Sequence, residues 1–451
     1  MQPLAREYLR SRLKETVNHS RMRQWQDRAA NRSRRIGIFF AMGTLETVSS
    51  LRDGVKLLAE HGYSVDIFLS GNPAYPRPQF DDKMISVVSD KAAVFTHAKV
   101  ALPNWTFGRG LTLYSWFVLR LYGSFWRNIV FKPRLRSRHS QSRYSCLIGI
   151  DQEAIADTAR YANYLKVPFI YWSLELRFTG QCGTEEEKSL KEKDIRYSRQ
   201  AAFAIIQDEW RKEALINENG VDAARIMIVP NAPMGNAHRD RNNFLQKRWN
   251  IPLGKKVIIC AGTLAWWAMS KEIVKAANNW PDDFMLVMHS RRKPDMYGAK
   301  YESEIMSLAN PMKVIVSFDQ FTASEYHQML DSADVGIAFY SYTSPYTSAG
   351  IDMNMKIMGL SSGKIADYLQ HGLPVIVNEV TGPKELITDY QCGVAVPHAD
   401  RIAEALSHIF HDYDTFSAHA CKCFNERLEL SSHFKKVIQK IGSLRCNSPT
   451  A

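Results

Sequence analysis

At 451 residues the chain exceeds what one hydrophobic core usually serves, and 45% apolar with 23% charged residues excludes a disordered or fibrous protein. The formal charge is +12, concentrated as +7 over residues 1–35 and +10 over residues 91–150, where Asp and Glu are absent, so the remainder carries −5. Such asymmetry points to an anionic partner, and the seven scattered cysteines exclude a disulfide framework and fit a reducing compartment.

In chain order, the first 33 residues read as a basic helical arm. Arg6, Arg10, Arg12 and Lys14 interrupt any apolar stretch, so no signal peptide is expected there and the location is read as cytoplasmic. Arg35 to Ala41 is a short apolar run of the kind that forms a buried parallel strand. Gly43 follows, then a helical pattern over 45–61 and a second strand at Ser64–Leu69. Strand-like runs recur at Met84–Val88, Cys146–Ile150, Pro168–Trp172, Ala202–Ile206 and Ile226–Val229, with helical stretches at Gln152–Leu165 and Glu185–Gln200. This alternation predicts a parallel sheet covered on both faces.

Residues Val229 to Pro233 break the pattern as a linker, and a second series begins at Lys256–Cys260. Further strands are expected at Phe284–Met288, Val314–Phe318, Val335–Phe339, Pro374–Val377 and Val394–Val396, with closing helices at Arg401–Phe410 and near His433–Ile441. The predicted fold class is therefore α/β, with two Rossmann-like doubly wound domains facing across a cleft. Their expected limits are 34–235 and 236–415, with 416–451 as a helix packing back across both. Such sheets bind ligands at the carboxyl ends of their strands.

The densest chemistry lies in residues 359–377, GLSSGKIADYLQHGLPVIV. Ser361, Ser362 and Gly363 precede a helix beginning near Lys364. Small residues there let backbone N–H groups approach an anion, and the helix dipole favours negative charge. Lys364 adds a cation suited to a diphosphate. Asp367, about 5 Å further along the axis, suits a pair of ribose hydroxyls. A capped helix without a ligand reads equally well from these residues alone.

This stretch resembles the donor-site signature of family 4 glycosyltransferases, which have the GT-B fold. Val229–Ala232 (VPNA), Ser332–Ile337 (SADVGI) and Gly382–Ile387 (GPKELI) are similar to the family's interdomain, strand and post-strand segments, in the family's order. The resemblance implies that Asp367 stands for the family's ribose-binding glutamate. It makes Ser362, Gly363 and Lys364 the phosphate-cradling turn, and it sets Gly262, with the adjoining Thr263, close to the donor. Gly43 and Thr44 correspond to the loop facing the reacting sugar. It further implies transfer from a UDP- or GDP-linked sugar with retention, the donor phosphate helping to deprotonate the acceptor.

Two departures stand out. The family's earlier glutamate falls on Gly359, which leaves the sugar contact open. The usual basic pair after the first donor-domain strand is absent from Gly262–Met269, so Arg291 and Arg292 become candidates for neutralising the diphosphate, or are a solvated surface pair. His289, at its strand end, either contacts the sugar or terminates the strand. Candidates for an acceptor base are Asp151, Glu153 and Glu175, which follow strands of the first domain. Against them, Asp151 caps the helix from Gln152 and Glu175 is a solvated loop carboxylate. Cys421 and Cys423 lack a second pair at zinc-site spacing, and neither a metal nor a cofactor is expected.

Within the basic aromatic segment 105–143, residues 111–131 are long and apolar, but Arg120 and Arg127 make a spanning helix expensive. With Trp116 and Trp126 as aromatic bulk and Arg134 and Arg136 following, the segment suits a helix lying in the membrane interface toward anionic headgroups. A core helix with a solvated basic loop is the alternative. No nucleic-acid-binding module is recognisable. The expected function is transfer of a sugar to a lipid-linked or polysaccharide acceptor at the inner face of the membrane. A sugar-nucleotide epimerase, or a non-catalytic binder of sugar nucleotide or membrane, are the alternatives.

Overall fold

The computed structural model describes residues 34–41, 45, 48–70, 78–90, 126–291, 299–343 and 351–444. The basic arm over 1–33, Gly43, Thr44, Trp116, Arg120 and Arg292 lie outside them, as do the side chains of Trp126 and Arg127. The chain divides into two compact units, one of Met1–Gly43, Val55–Tyr171 and Ile438–Ala451, the other of Thr44–Gly54 and Trp172–Val437.

Among the described residues thirteen strands form two sheets. The first comprises β1 (Arg35–Phe40), β2 (Ser64–Ser70), β3 (Ile85–Asp90), β4 (Tyr144–Ile150), β5 (Phe169–Trp172), β6 (Ala204–Ile206) and β7 (Ile226–Ile228), in the order β3-β2-β1-β4-β5-β6-β7. The second comprises β8 (Lys256–Ala261), β9 (Phe284–His289), β10 (Val314–Ser317), β11 (Val335–Ala338), β12 (Val375–Asn378) and β13 (Gly393–Val396), in the order β10-β9-β8-β11-β12-β13. The paired strands run parallel. Both orders reverse direction beside the first strand of the series, β1 next to β4 and β8 next to β11, and such switch points open crevices at the strands' carboxyl ends.

Burial on both faces explains why the strands are uninterrupted apolar runs. Every residue of β4 is buried, as are all but the first residue of β1 and of β8. Along β8 the side chains alternate between two cores: Val257, Ile259 and Ala261 pack in one, Ile258 and Cys260 in the other. Each fully buried aliphatic side chain of this kind contributes about 1.5–3 kcal/mol.

The helices that matter for the site are α1 (Ser49–Glu60), α2 (Lys132–Gln141), α3 (Asp151–Leu165), α4 (Glu185–Ser198), α5 (Glu209–Asn219), α6 (Ala323–Asp331), α7 (Gly363–Gln370) and α8 (Pro383–Tyr390). Capping boxes start two of them, Thr184 with Glu187 at α4 and Thr322 with Glu325 at α6. The chain closes with Ile402–His411, Tyr413–Cys423 and Leu430–Leu444, and Cys421 and Cys423 are helix residues.

Two local expectations change. The basic residues after Phe131 form no loop: a π-helical turn, Trp126–Phe131, runs directly into α2, which carries Lys132, Arg134, Arg136 and Arg138. Burial of Leu135 holds that helix down. The helix after β4 begins at Asp151 itself, with Ile150 in the preceding position. No helix among the described residues is long and apolar enough to cross a membrane.

Candidate functional site

The second sheet's switch point organises the larger unit. β8 ends at Ala261 and Gly262 follows at φ +140°, a conformation that favours glycine. Its N–H donates to the carbonyl of His289 at the end of neighbouring β9, 2.9 Å away. A side-chain carbon added at Gly262 would meet Lys364 Cε at 3.3 Å and Nζ at 3.4 Å. Lys364, on the first turn of α7, thus lies against the glycine that ends the sheet's first strand. The same ammonium is 5.2 Å from the Tyr340 ring centroid, just past β11.

Local chemistry explains the start of α7. Ser362 precedes the helix in an extended conformation and accepts from the Ile365 N–H, a serine cap. Its hydroxyl also makes a short hydrogen bond with the Tyr340 hydroxyl, so the side chain is committed. The helix seats closely on the sheet because Gly336 of β11 has no side chain. A carbon there would stand 2.3 Å from the Tyr368 ring. The Tyr368 hydroxyl oxygen in turn accepts from the Ala261 N–H at 2.7 Å, one residue before Gly262.

Asp367, half-buried one turn into α7, accepts from Tyr326 Oη at 3.2 Å and from Ser49 Oγ at 3.3 Å. Arg291 lies on the other side of that tyrosine, its guanidinium carbon 3.4 Å from the ring centroid. Burial, then the Asp367 charge, pushes the Tyr326 hydroxyl pKa up, so it remains a donor at neutral pH. His289 is fully buried, stacked on Phe321 with ring centroids 4.7 Å apart. Burial, reinforced by the Arg291 charge, lowers its pKa to about 4, which makes it a neutral imidazole. Its Nδ1 is 3.4 Å from Ser317 Oγ, and Nε2 has no hydrogen-bond partner among the described residues. Thr263 is half-buried beside Gly262.

Residues absent from the sequence reading hold the loop before α7. Arg211 of α5 is 1% exposed and donates to Gln207 Oε1, the Leu174 and Ile357 carbonyls, Asn354 Oδ1 and Ser361 Oγ. Asp208, buried beneath the same loop, accepts from the Leu360 N–H at 2.6 Å, and burial raises its pKa. That carboxylate accounts for Gly359: at φ +54°, a side-chain carbon there would stand 1.9 Å from Asp208 Oδ2. Asn231 donates to the Ser361 carbonyl at 2.9 Å and accepts from Ser50 Oγ at 2.8 Å. The linker asparagine is thereby built into the site.

The three carboxylate candidates part company. Asp151 and Glu153 belong to the smaller unit and Glu175 to the larger one. Asp151, 5% exposed, sits at the carboxyl end of β4 beside the β1–β4 switch point, with φ +57°. A left-handed, buried, non-glycine residue stores strain of about 1–3 kcal/mol and persists only where its surroundings impose it. Glu153 is half-buried and accepts from Gln152 at 3.1 Å. Glu175 is exposed and accepts from Asn354 Nδ2 at 2.5 Å, which binds it into the loop that Arg211 holds.

In the smaller unit Arg134 and Arg136 are exposed on α2, whereas Arg138 turns inward to Asp66 at 2.9 Å. The same buried carboxylate accepts from Arg35 at 3.1 Å and from the Tyr144 hydroxyl at 2.5 Å. Among the described residues of the larger unit, His238, Asp331 and His371 place metal-ligand atoms within 4.8 Å of one another. Sequence spacing gave no sign of this group, since its members come from three separate segments.

Comparison with known proteins bears on the fold. Residues 336–441, which contain α7 and the strands on either side, match the family of glucosyltransferase 3-like C-terminal domains. No curated protein sequence matches the chain significantly. Among solved structures the chain is similar to a sucrose-phosphate synthase from Thermosynechococcus elongatus, at 15% identity and TM-score 0.63, covering 92% of this chain and 100% of that one. It is similar to HepE of Anabaena in complex with UDP-glucose, at 12% identity and TM-score 0.62, covering 91% and 99%. A glycosyltransferase from Rickettsia africae follows at 11% identity and TM-score 0.61, covering 92% and 100%. The shared property is the fold: two parallel α/β sheets, the GT-B architecture.

Proposed function

We propose that this chain is a glycosyltransferase of the family 4 type that moves a sugar from a nucleoside-diphosphate donor to a lipid-linked or polysaccharide acceptor at a membrane surface. The observation that carries the reading is Lys364 at the start of α7, lying against Gly262 at the carboxyl edge of β8. The HepE structure holds UDP-glucose, and the matched C-terminal family is named for glucosyltransferases.

Cleaving the bond between sugar and diphosphate leaves negative charge on the departing phosphate. Fixed N–H donors and cations act most strongly where that charge develops. The N–H groups of Gly363 and Lys364, with the Lys364 ammonium, receive the diphosphate, and Arg291 adds a second cation. Ser362 acts through the backbone it shapes, because its hydroxyl is occupied by Tyr340. Asp367, held by Tyr326 and Ser49, accepts from the ribose hydroxyls. The transfer step draws its charge compensation from these groups rather than from an ion. The acceptor hydroxyl attacks the anomeric carbon from the face the phosphate leaves: the sugar–phosphate bond breaks, the new glycosidic bond forms with retention, and the departing phosphate takes the hydroxyl proton.

A membrane-borne acceptor is supported by the smaller unit. Exposed Arg134 and Arg136 on α2 suit anionic headgroups. A cavity of about 510 Å³ beside that helix has Phe68, Phe131 and Leu135 in its lining with Arg134, a combination that fits an acyl or prenyl chain ending in a phosphate. The test offers isotope-labelled UDP- and GDP-sugars with and without membrane extract. Label in extractable lipid or polymer is the expected result. Isomerised donor without transfer would make the chain an epimerase, and donor binding without product a non-catalytic binder. Absence of donor binding would remove the reading altogether.

A further inference from the structure

The larger unit contains a second polar cluster, on the far end of α7 from Lys364. His371 follows the last residue of α7, Asp331 ends α6, and His238 lies in the segment after the linker asparagine. His371 is 1% exposed, and its Nδ1 is 2.6 Å from Asp331 Oδ1. His238 Nδ1 stands 3.7 Å from the same oxygen and 3.3 Å from Asp240 Oδ2. The backbone fixes this arrangement, because the His238 N–H donates to the Gln370 carbonyl at 2.8 Å.

One atom has no role in the hydrogen-bond network. His238 Nδ1 is shielded from solvent and makes no hydrogen bond of good geometry among the described residues, its neighbours being the Asp240 and Asp331 carboxylates at ion-pair distance. Buried polar atoms are nearly always satisfied, so an orphan nitrogen beside a second imidazole and a carboxylate calls for a ligand that accepts lone pairs. On the opposite edge of His371, Nε2 is 2.9 Å from His327 Nδ1. That contact supplies the outer-shell partner that orients a metal-bound imidazole. Arg239, the nearest cation in sequence, is turned away to the Ala333 carbonyl and the Tyr413 hydroxyl.

We propose that His238 Nδ1, Asp331 Oδ1 and His371 Nδ1 bind one zinc-class divalent ion that ties the linker segment to the carboxyl ends of α6 and α7. Two imidazoles and one carboxylate are a borderline-soft set suited to zinc, with water at the fourth position. Zinc–ligand bonds of about 2.0–2.2 Å need ligand atoms that surround one point. Ligand atoms of the three residues already lie within 4.8 Å of one another, so small rotations of the Asp331 carboxylate and the half-buried His238 ring complete the site. The ion contacts no group assigned to the donor. It braces the helix whose other end carries Lys364 and the helix that carries Tyr326, and it stands or falls independently of the glycosyltransferase reading.

The test uses the full chain, stripped with a chelator and titrated with Zn²⁺ against a chromophoric competitor. One equivalent is expected to bind, and Co²⁺ in its place should give the visible absorption of a four-coordinate site. His238→Ala, at a partly exposed position, should weaken zinc binding by at least about 100-fold, beyond the 10–100-fold loss typical of an outer-shell partner. His327→Ala should fall within that smaller range. Failure of the wild-type chain to take up one equivalent at micromolar Zn²⁺, or equal uptake by a folded His238→Ala chain, would overturn the proposal. The Co²⁺ spectrum decides the matter without any variant.

Discussion

Gly262 leaves room for Lys364: a methyl group at position 262 would lie 3.4 Å from the Lys364 ammonium nitrogen. The strand end and the helix start are thus neighbours, and the proposed donor site predicts linked effects of substitutions on either side.

Gly262→Ala places a side chain at φ +140°, where only glycine is unstrained, and displaces Lys364. A stability loss of about 1–3 kcal/mol is expected from the backbone alone. Donor affinity should fall with it. Chemical unfolding and calorimetric titration with sugar nucleotide report the two effects separately; a variant with unaltered affinity would detach this glycine from the donor site.

Lys364→Ala should behave differently, because the side chain supports binding rather than the fold. Hydrogen bonds to a charged group contribute about 1.5–3 kcal/mol, so donor binding should weaken roughly 10- to 150-fold. Thermal stability should stay within about 0.5 kcal/mol of the parent. Unchanged donor affinity in that folded variant would count against the helix start as the diphosphate site.

Gly336→Ala tests how α7 is seated. The added carbon would stand 2.3 Å from the Tyr368 ring, and overpacking of this kind costs about 1–3 kcal/mol. Calorimetry should show a lower melting temperature. Donor affinity should fall too, as the tyrosine is pushed off the Ala261 N–H.

His289 makes stability depend on pH with a definite sign. Unfolded, it takes a proton near 6.5; folded, only near 4. Between those values the unfolded chain holds more protons, so stability drops as pH falls from about 6.5 to about 4, then levels off. The shift corresponds to about 3 kcal/mol. Urea unfolding of the wild-type chain and of His289→Gln, compared across that window, isolates the contribution. Parallel profiles for the two proteins would contradict it.

On the smaller unit, Arg134→Glu with Arg136→Glu should reduce co-sedimentation with anionic vesicles. Each lost basic residue near a charged surface removes about 1 kcal/mol. Binding to neutral vesicles should barely change. Equal pelleting of variant and parent would separate these arginines from any membrane contact.

Much of this architecture can be read from local sequence. Apolar runs such as RIGIFF and KVIICA became β1 and β8 because strands buried on both faces need no alternation. The serine, glycine and lysine at 362–364 announce a capped, anion-ready helix start for reasons that act within one turn. What only the tertiary structure decided are meetings across long stretches of chain. Asp208 occupies the space beside Gly359, Arg211 ties the 354–361 loop to Leu174 and Gln207, and Tyr326 links Arg291 to Asp367. His238, Asp331 and His371 likewise share no spacing that a linear motif could reveal. The physical reason is range: strand pattern and helix caps depend on neighbours within a few residues. Buried polar groups must find partners wherever packing brings the chain back together.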